Sequence, residues 1–288
     1  MKIMDAYADF TRNYLEVRQY SKITIEGYWW SIRSFVRVHG NLPISNLTED
    51  IINEWIHNMN LIGNSRSTIA TNLCRFKVFL GYLEMYGDCK ISMRSINVPK
   101  PTKTLPKYVS PQMVEKLIQN AVNVRDRAII ALLFSSGLRS AELRSLQKKD
   151  IDGKSIMVQE GKGLRDRVTY IDDRTRKYLD IYLSSRYDHS PYVFVSNRAT
   201  QMSKSTLRYI VKKVCDDAKV PHLSPHMFRH GIATHLLDKG MNVRMIQKFL
   251  GHSDLTTTQV YLHVKDKDLM QAHSECLDKS IRKSLTKA

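Results

Sequence analysis

Apolar residues recur at helical spacing through the first hundred positions of the chain. Tyr7, Phe10, Tyr14 and Leu15 form one series, and Tyr28, Ile32, Phe35 and Val36 form another. Each series puts its apolar side chains on one face, which predicts an amphipathic helix. Thr48 and Ser65 stand where N-caps would open further helices. The reading for residues 3–96 is four helices and no clear strand. Then follows Val98-Pro99-Lys100-Pro101-Thr102-Lys103-Thr104-Leu105-Pro106-Lys107. Proline lacks the backbone donor and restricts its predecessor, so this stretch should run extended. It divides the chain into a helical domain (1–98), a Pro/Lys linker (99–109) and a second domain (110–288).

The second domain opens on Ser110-Pro111, a cap followed by proline at the first helical position, and helices continue to about Leu146. The period then changes. Ser155–Glu160 and Asp166–Ile171 are two β-rich runs joined across Gly161-Lys162-Gly163-Leu164-Arg165, which predicts a hairpin with a glycine-containing loop. Helical patterns resume at about 173–187, 203–218, 225–237, 242–249 and 255–262, and a charged tail helix follows to about 284. The fold class is therefore mostly α with a small antiparallel β-sheet in the second domain.

Composition adds a partner. Lys and Arg number 45 against 28 Asp and Glu, a formal net charge of +17, and such a surface suits an acidic partner, most simply nucleic acid. A merely solubilising basic surface is the bland alternative. Lys22, Arg33, Arg37, Arg66, Arg75 and Lys77 interleave with Tyr28, Trp29 and Trp30. The basic members are candidates for gripping phosphates, and the aromatic ones read mainly as core. Cys74, Cys89, Cys215 and Cys276 form no C-x-x-C pair, which argues against a zinc ribbon or a disulfide framework and fits a reducing cytosol. No apolar run reaches the length of a membrane span, and the first residues lack a signal-peptide core.

Four segments concentrate candidate chemistry. In Ser136-Gly137-Leu138-Arg139-Ser140-Ala141-Glu142-Leu143, Gly137 should end one helix and Ser140 cap the next, leaving Arg139 fixed in the turn. A salt bridge to Glu142 is its structural alternative. Lys162 lies at the hairpin tip between two glycines, where a turn lysine is otherwise unremarkable. In Ser224-Pro225-His226-Met227-Phe228-Arg229-His230, a spacing of three puts His226 and Arg229 on one face near a helix N-terminus, an end that favours anions. His226 and His230 have zinc-ligand spacing, but Met227 replaces the glutamate of H-E-x-x-H. In Leu250-Gly251-His252 through Thr258-Gln259-Val260-Tyr261, Gly251 should stop a helix and Ser253 or Asp254 cap the next, which carries Tyr261. A tyrosine so placed is ordinarily core. Gly153-Lys154-Ser155 mimics the end of a P-loop, but Lys148 stands where the loop needs glycine, so it reads as a turn entering a strand.

In this chain order, Arg139, Lys162, His226 with Arg229, His252 and Tyr261 resemble the signature of the tyrosine recombinase (phage-integrase-like) family. The contexts G-L-R-x-x-E-L, L-G-H and T-x-x-Y are all present. Phe228 replaces a common leucine and should face the core. The resemblance covers nearly the whole chain, and its compact layout is similar to the Xer branch, particularly the single-protein recombinases of archaea. It implies a two-domain C-shaped clamp: a helical core-binding domain and a catalytic domain with a C-terminal tail helix. It implies a cytoplasmic enzyme without cofactor or metal that binds a specific double-stranded DNA site as a tetramer on two sites, away from membranes. Tyr261 would be the nucleophile and Arg139 and Arg229 the phosphate clamp. Lys162 would protonate the leaving oxygen, His226 would act as acid or base, and His252 would bond the phosphate. The tail from Lys265 would dock on a neighbouring subunit. The expected role is resolution of chromosome dimers at a dif-like site, with a mobile-element integrase or a type IB topoisomerase as alternatives.

Overall fold

The computed structural model describes residues 1–86, 91, 96, 98–99, 108–159, 166–196 and 198–251. The chain divides into two compact units, Met1–Thr104 and Leu105–Ala288, and is mostly helical with one small antiparallel sheet.

In the first unit, α1 (Ile3–Phe10) runs on into a π-helical turn over Thr11–Glu16. α2 (Lys22–His39), α3 (Glu49–Leu61) and α4 (Arg66–Met85) follow. Ser21, Thr48 and Ser65 set their starts, each hydroxyl accepting from the backbone N–H three residues on. That bond satisfies a donor left open by the helix start and is worth about 1 kcal/mol. The apolar faces close on Phe10, Phe35, Trp55, Phe76 and Phe79, all fully buried, with the Phe35 and Phe76 rings 4.8 Å apart. Trp30, by contrast, is exposed beneath the Arg33 guanidinium. Arg33, Arg37 and Arg66 face solvent. Lys77 instead donates inward to the Ile96 carbonyl at 3.1 Å. Arg75 packs against α2 at Gly27, where a Cβ would lie 2.6 Å from its Nη2.

In the second unit, Ser110 caps α5 (Pro111–Asn120), with Pro111 at the first helical position. α6 (Val124–Ser135) is buried from Ala128 through Leu133, as befits the central helix of a domain. α5, α8 (Asp173–Ser184), α9 (Lys204–Asp217) and α10 (Pro225–Asp238) pack around it. α7 (Ser140–Ser145) is short, and α11 (Val243–Leu250) packs on α10 through Ile232, Leu237, Ile246 and Leu250. Phe228 is fully buried in the main core.

The sheet has the order β1 (Ile151–Asp152), β2 (Ser155–Val158), β3 (Arg167–Tyr170). β2 and β3 pair antiparallel with Ile156 opposite Thr169 and Val158 opposite Arg167. Alternation buries those four and leaves Met157, Val168 and Tyr170 exposed. The expected hairpin is present with shorter strands. β1 was not anticipated, because two residues carry no readable period. Gly153, at φ +55, makes the turn between β1 and β2. The hairpin loop with Lys162 lies outside the described residues, as do the helices expected after Gly251.

α10 also receives the chain where the Pro/Lys stretch ends. The Val109 N–H donates to the Met227 carbonyl at 3.3 Å, and a Cβ on Gly231 would sit 2.1 Å from the Val109 oxygen. Glycine is what allows this approach.

Candidate active site

α6 ends through Ser136, and Gly137 reverses the chain at φ +61. The turn delivers Arg139 itself to the N-cap position of α7, one residue earlier than the Ser140 cap expected from the sequence. A carboxylate replaces the hydroxyl. Glu142 accepts from the Arg139 backbone N–H at 2.7 Å and from Arg139 Nη1 at 2.6 Å, so the ion pair weighed as an alternative to function is real. It does not exhaust the arginine, whose Nη2 donates to the Gly251 carbonyl at 2.6 Å.

α10 starts at Pro225, which places His226 in its first turn and Arg229 on the same face. Arg229 is 5% exposed. Its Nη1 donates to the Gly137 carbonyl at 2.7 Å and its Nη2 to the Leu250 carbonyl at 2.6 Å. Arg139 and Arg229 thus meet at consecutive carbonyls, those of Leu250 and Gly251, where α11 ends in a left-handed turn at Gly251 (φ +68). Two segments far apart in sequence, those of Arg139 and Arg229, are gathered on the residue pair that immediately precedes His252.

A third arginine completes the cluster. Arg167 Nη2 donates to Glu142 Oε2 at 2.7 Å and its Nη1 to Oε1 at 3.0 Å, and its side chain lies against Gly251, where a Cβ would fall 2.6 Å from Cδ. Of the six residues predicted to form the site, the described structure brings Arg139, His226 and Arg229 together. Lys162, His252 and Tyr261 lie outside the described residues.

A model of the phage integrase family matches residues 105–268, and a model of the phage integrase N-terminal SAM-like domain matches residues 8–84. The chain belongs to the phage integrase family. It is 32% identical to the tyrosine recombinase XerA of Pyrococcus horikoshii over 90% of this chain and 89% of the relative. To the tyrosine recombinase XerC of Corynebacterium glutamicum it is 34% identical over 81% of this chain and 79% of the relative. Among solved structures, the Tn1549 transposon integrase in complex with transposon right end DNA superposes with a TM-score of 0.81 at 20% identity, covering 96% of this chain and all of that one. The chain is accordingly a tyrosine recombinase of the Xer type, from a family of DNA breaking and rejoining enzymes.

The electrostatics of this tyrosine recombinase follow from burial first and from the surrounding cations second. Burial pushes the His226 imidazole below its ordinary pKa, and Arg229, Lys204, Arg208 and Arg139 push it further. Burial lowers His230 as well, assisted by His226 and Arg229. Both rings are therefore neutral at pH 7, and a neutral imidazole retains a lone pair to take a proton. Burial acts to raise the Glu142 carboxyl, but hydrogen bonds from Arg167 and from the Arg139 backbone outweigh it and hold the group below the usual carboxylate range. A fixed anion among guanidinium groups keeps them oriented.

Sequence reasoning did not single out Arg167. A signal was present: in the β3 alternation Arg167 shares its face with Thr169, opposite the outward Val168 and Tyr170. An arginine at an inward strand position requires a buried acidic or carbonyl partner.

Proposed function

We propose that this recombinase cuts and rejoins double-stranded DNA at a specific site through a covalent bond between Tyr261 and a backbone phosphate. The observation that supports it is the seating of Arg139 and Arg229 on the consecutive carbonyls of Leu250 and Gly251. That seating sets two guanidinium groups beside the segment leading to His252 and Tyr261. In-line attack on a phosphodiester passes through a pentavalent state with more negative charge than the ground state, so pre-fixed cations favour the transition state selectively. Arg139 and Arg229 fill that role with a planar fork that lysine lacks.

The phenol has an ordinary pKa of about 10, so Tyr261 must give up its proton as it attacks. His226, neutral and adjacent to the arginines, is the group assigned to accept it. The phosphorus–oxygen bond to the 5′ side breaks, Lys162 protonates the departing 5′ oxygen, and His252 hydrogen-bonds the phosphate. The product is a 3′-phosphotyrosyl enzyme. Because that ester conserves the energy of the cleaved bond, a 5′ hydroxyl from another strand reverses the reaction without an external energy source. Two pairs of protomers on two sites would exchange strands through a Holliday junction, with resolution of chromosome dimers at a dif-like site as the role. The exposed basic residues of α2 and α4 suit phosphate contacts.

The test uses a nicked suicide duplex bearing the sequence that the wild-type chain enriches from a randomised pool. Mass spectrometry should find DNA bonded to Tyr261 and no adduct in Tyr261→Phe. An adduct that persists in Tyr261→Phe refutes the assignment. On a plasmid with two copies of the site, resolved circles support recombination, whereas relaxation without a junction intermediate supports a topoisomerase.

A further inference from the structure

We infer that Arg167 is a positioning residue of the active site, tying the base of the β2–β3 hairpin to the Arg139 turn and to the turn at Gly251. This inference rests on the reading of the site given above. Arg167 is the first residue of β3, paired with Val158, so it marks where the hairpin leaves the sheet toward Lys162. From there its buried side chain reaches two other segments. It grips both oxygens of Glu142, the carboxylate that also accepts the backbone and side-chain donors of Arg139. It also fills the space beside Gly251, where a Cβ would meet its Cδ at 2.6 Å, its Nε at 2.9 Å and its Nη1 at 3.0 Å. The two inward positions of the strand anchor in the same direction, since Thr169 Oγ1 donates to the Ser136 carbonyl at 2.7 Å.

Two of the four chemistry-bearing segments of the sequence therefore meet one side chain, carried by the strand that follows the hairpin loop. Among the described residues it bonds the Glu142 carboxylate and packs on the Gly251 backbone, so it acts there through the residues that hold Arg139. A bidentate pair fixes Glu142 in rotation as well as distance. Glu142 in turn fixes the Arg139 fork, which bonds the Gly251 carbonyl. With Arg167 shortened, Glu142 and Gly251 both lose a wall, and the Arg139 fork loses its reference on each side. Displacement of a catalytic group by about 1 Å costs roughly 100-fold in rate.

The experiment measures single-turnover adduct formation and equilibrium binding on the selected suicide duplex for wild type, Arg167→Met, Arg167→Lys and the Arg167→Met/Glu142→Gln double variant. Arg167→Met should lower the adduct rate by roughly 100-fold while leaving the dissociation constant within about threefold. Arg167→Lys, which keeps one charged donor for Glu142, should recover at least tenfold of that loss, a rescue that a space-filling role does not explain. The double variant removes the carboxylate left behind and guards against misfolding. Its rate should equal that of Arg167→Met within about threefold, because the two residues act as one unit. The inference is overturned if Arg167→Met cleaves at the wild-type rate, if rate and affinity fall in proportion, or if lysine recovers nothing while the double variant folds and loses a further factor. Failure of the wild type itself to form a Tyr261 adduct is a separate result, and it overturns the reading of the site along with this inference.

Discussion

Two glycines of the second unit offer a controlled test of how the Arg139 turn is packed. Gly137 and Gly153 both adopt left-handed backbone, at φ +61 and +55, so alanine meets a similar backbone penalty at each, about 1–2 kcal/mol. Their surroundings differ. A Cβ at Gly153 has nothing within 4 Å, whereas one at Gly137 would lie 2.7 Å from Leu250 Cδ2, 3.2 Å from Ile232 Cγ2 and 3.3 Å from Phe249 Cε1. Leu250 is fully buried and Ile232 nearly so, so the methyl forces a shift in a packed cluster at about 1–3 kcal/mol. Any gain from restricting the unfolded chain is the same for both variants and cancels in the difference. Gly137→Ala should therefore be about 2 kcal/mol less stable than Gly153→Ala, and for a unit of this size that separates the two by about 4–8 °C in Tm. Scanning calorimetry of the full chain reads this directly, since both substitutions lie in the same unit and move the same transition. Because the Gly137 carbonyl accepts from Arg229, adduct formation should also slow in Gly137→Ala and not in Gly153→Ala. Equal shifts in Tm, or a larger loss for Gly153→Ala, refute the packing argument.

Three further outcomes follow from the same contacts. Thr169→Val leaves the buried Ser136 carbonyl without the hydroxyl that now donates to it, and chemical denaturation should register a loss of about 1–3 kcal/mol. Because the folded pKa of Glu142 lies below its ordinary 4.5, its contribution to stability is complete above pH 4.5. It disappears as pH falls through the folded value, so a stability–pH curve for Glu142→Gln should converge on wild type in acid and separate above. Burial and neighbouring cations depress His226, so its ring should titrate below 6.5 by NMR, and adduct formation should decline only as pH drops through that midpoint; a midpoint at or above 6.5 contradicts the assignment.

Much of this arrangement was legible because it is local. Ser65, Thr48 and Ser110 declare helix starts with a hydroxyl and an open N–H a few residues apart, and Gly137 and Gly251 declare helix ends through a backbone conformation that other residues resist. The hairpin was legible through its alternation. What escaped was set by distance along the chain. Arg167 finds Glu142 25 residues away, and nothing near β3 in the sequence names that partner. The α7 start was misread by one residue because Ser140 is the better local cap, while Glu142, tethered by Arg167, satisfies the Arg139 N–H instead. Tertiary contacts overrode a local preference there. Likewise the Lys77 ammonium looked free for phosphate until Ile96 was brought beside it.

Arg229 in α10 donates to the peptide oxygens of Gly137 and Leu250, and Arg139, at the N-cap of α7, donates to that of Gly251 beside the Glu142 carboxylate. A peptide oxygen survives every substitution at its own position. The seat of Arg229, and the Gly251 half of the seat of Arg139, are thus written in the path of the main chain, whereas the other half of the Arg139 seat depends on Glu142 and its partner Arg167. An alignment scored letter by letter would miss such seats. In a mutational scan they should surface as intolerance to insertions, deletions and prolines around residues 137 and 250–251, against a background of tolerated side-chain exchange at neighbouring exposed positions.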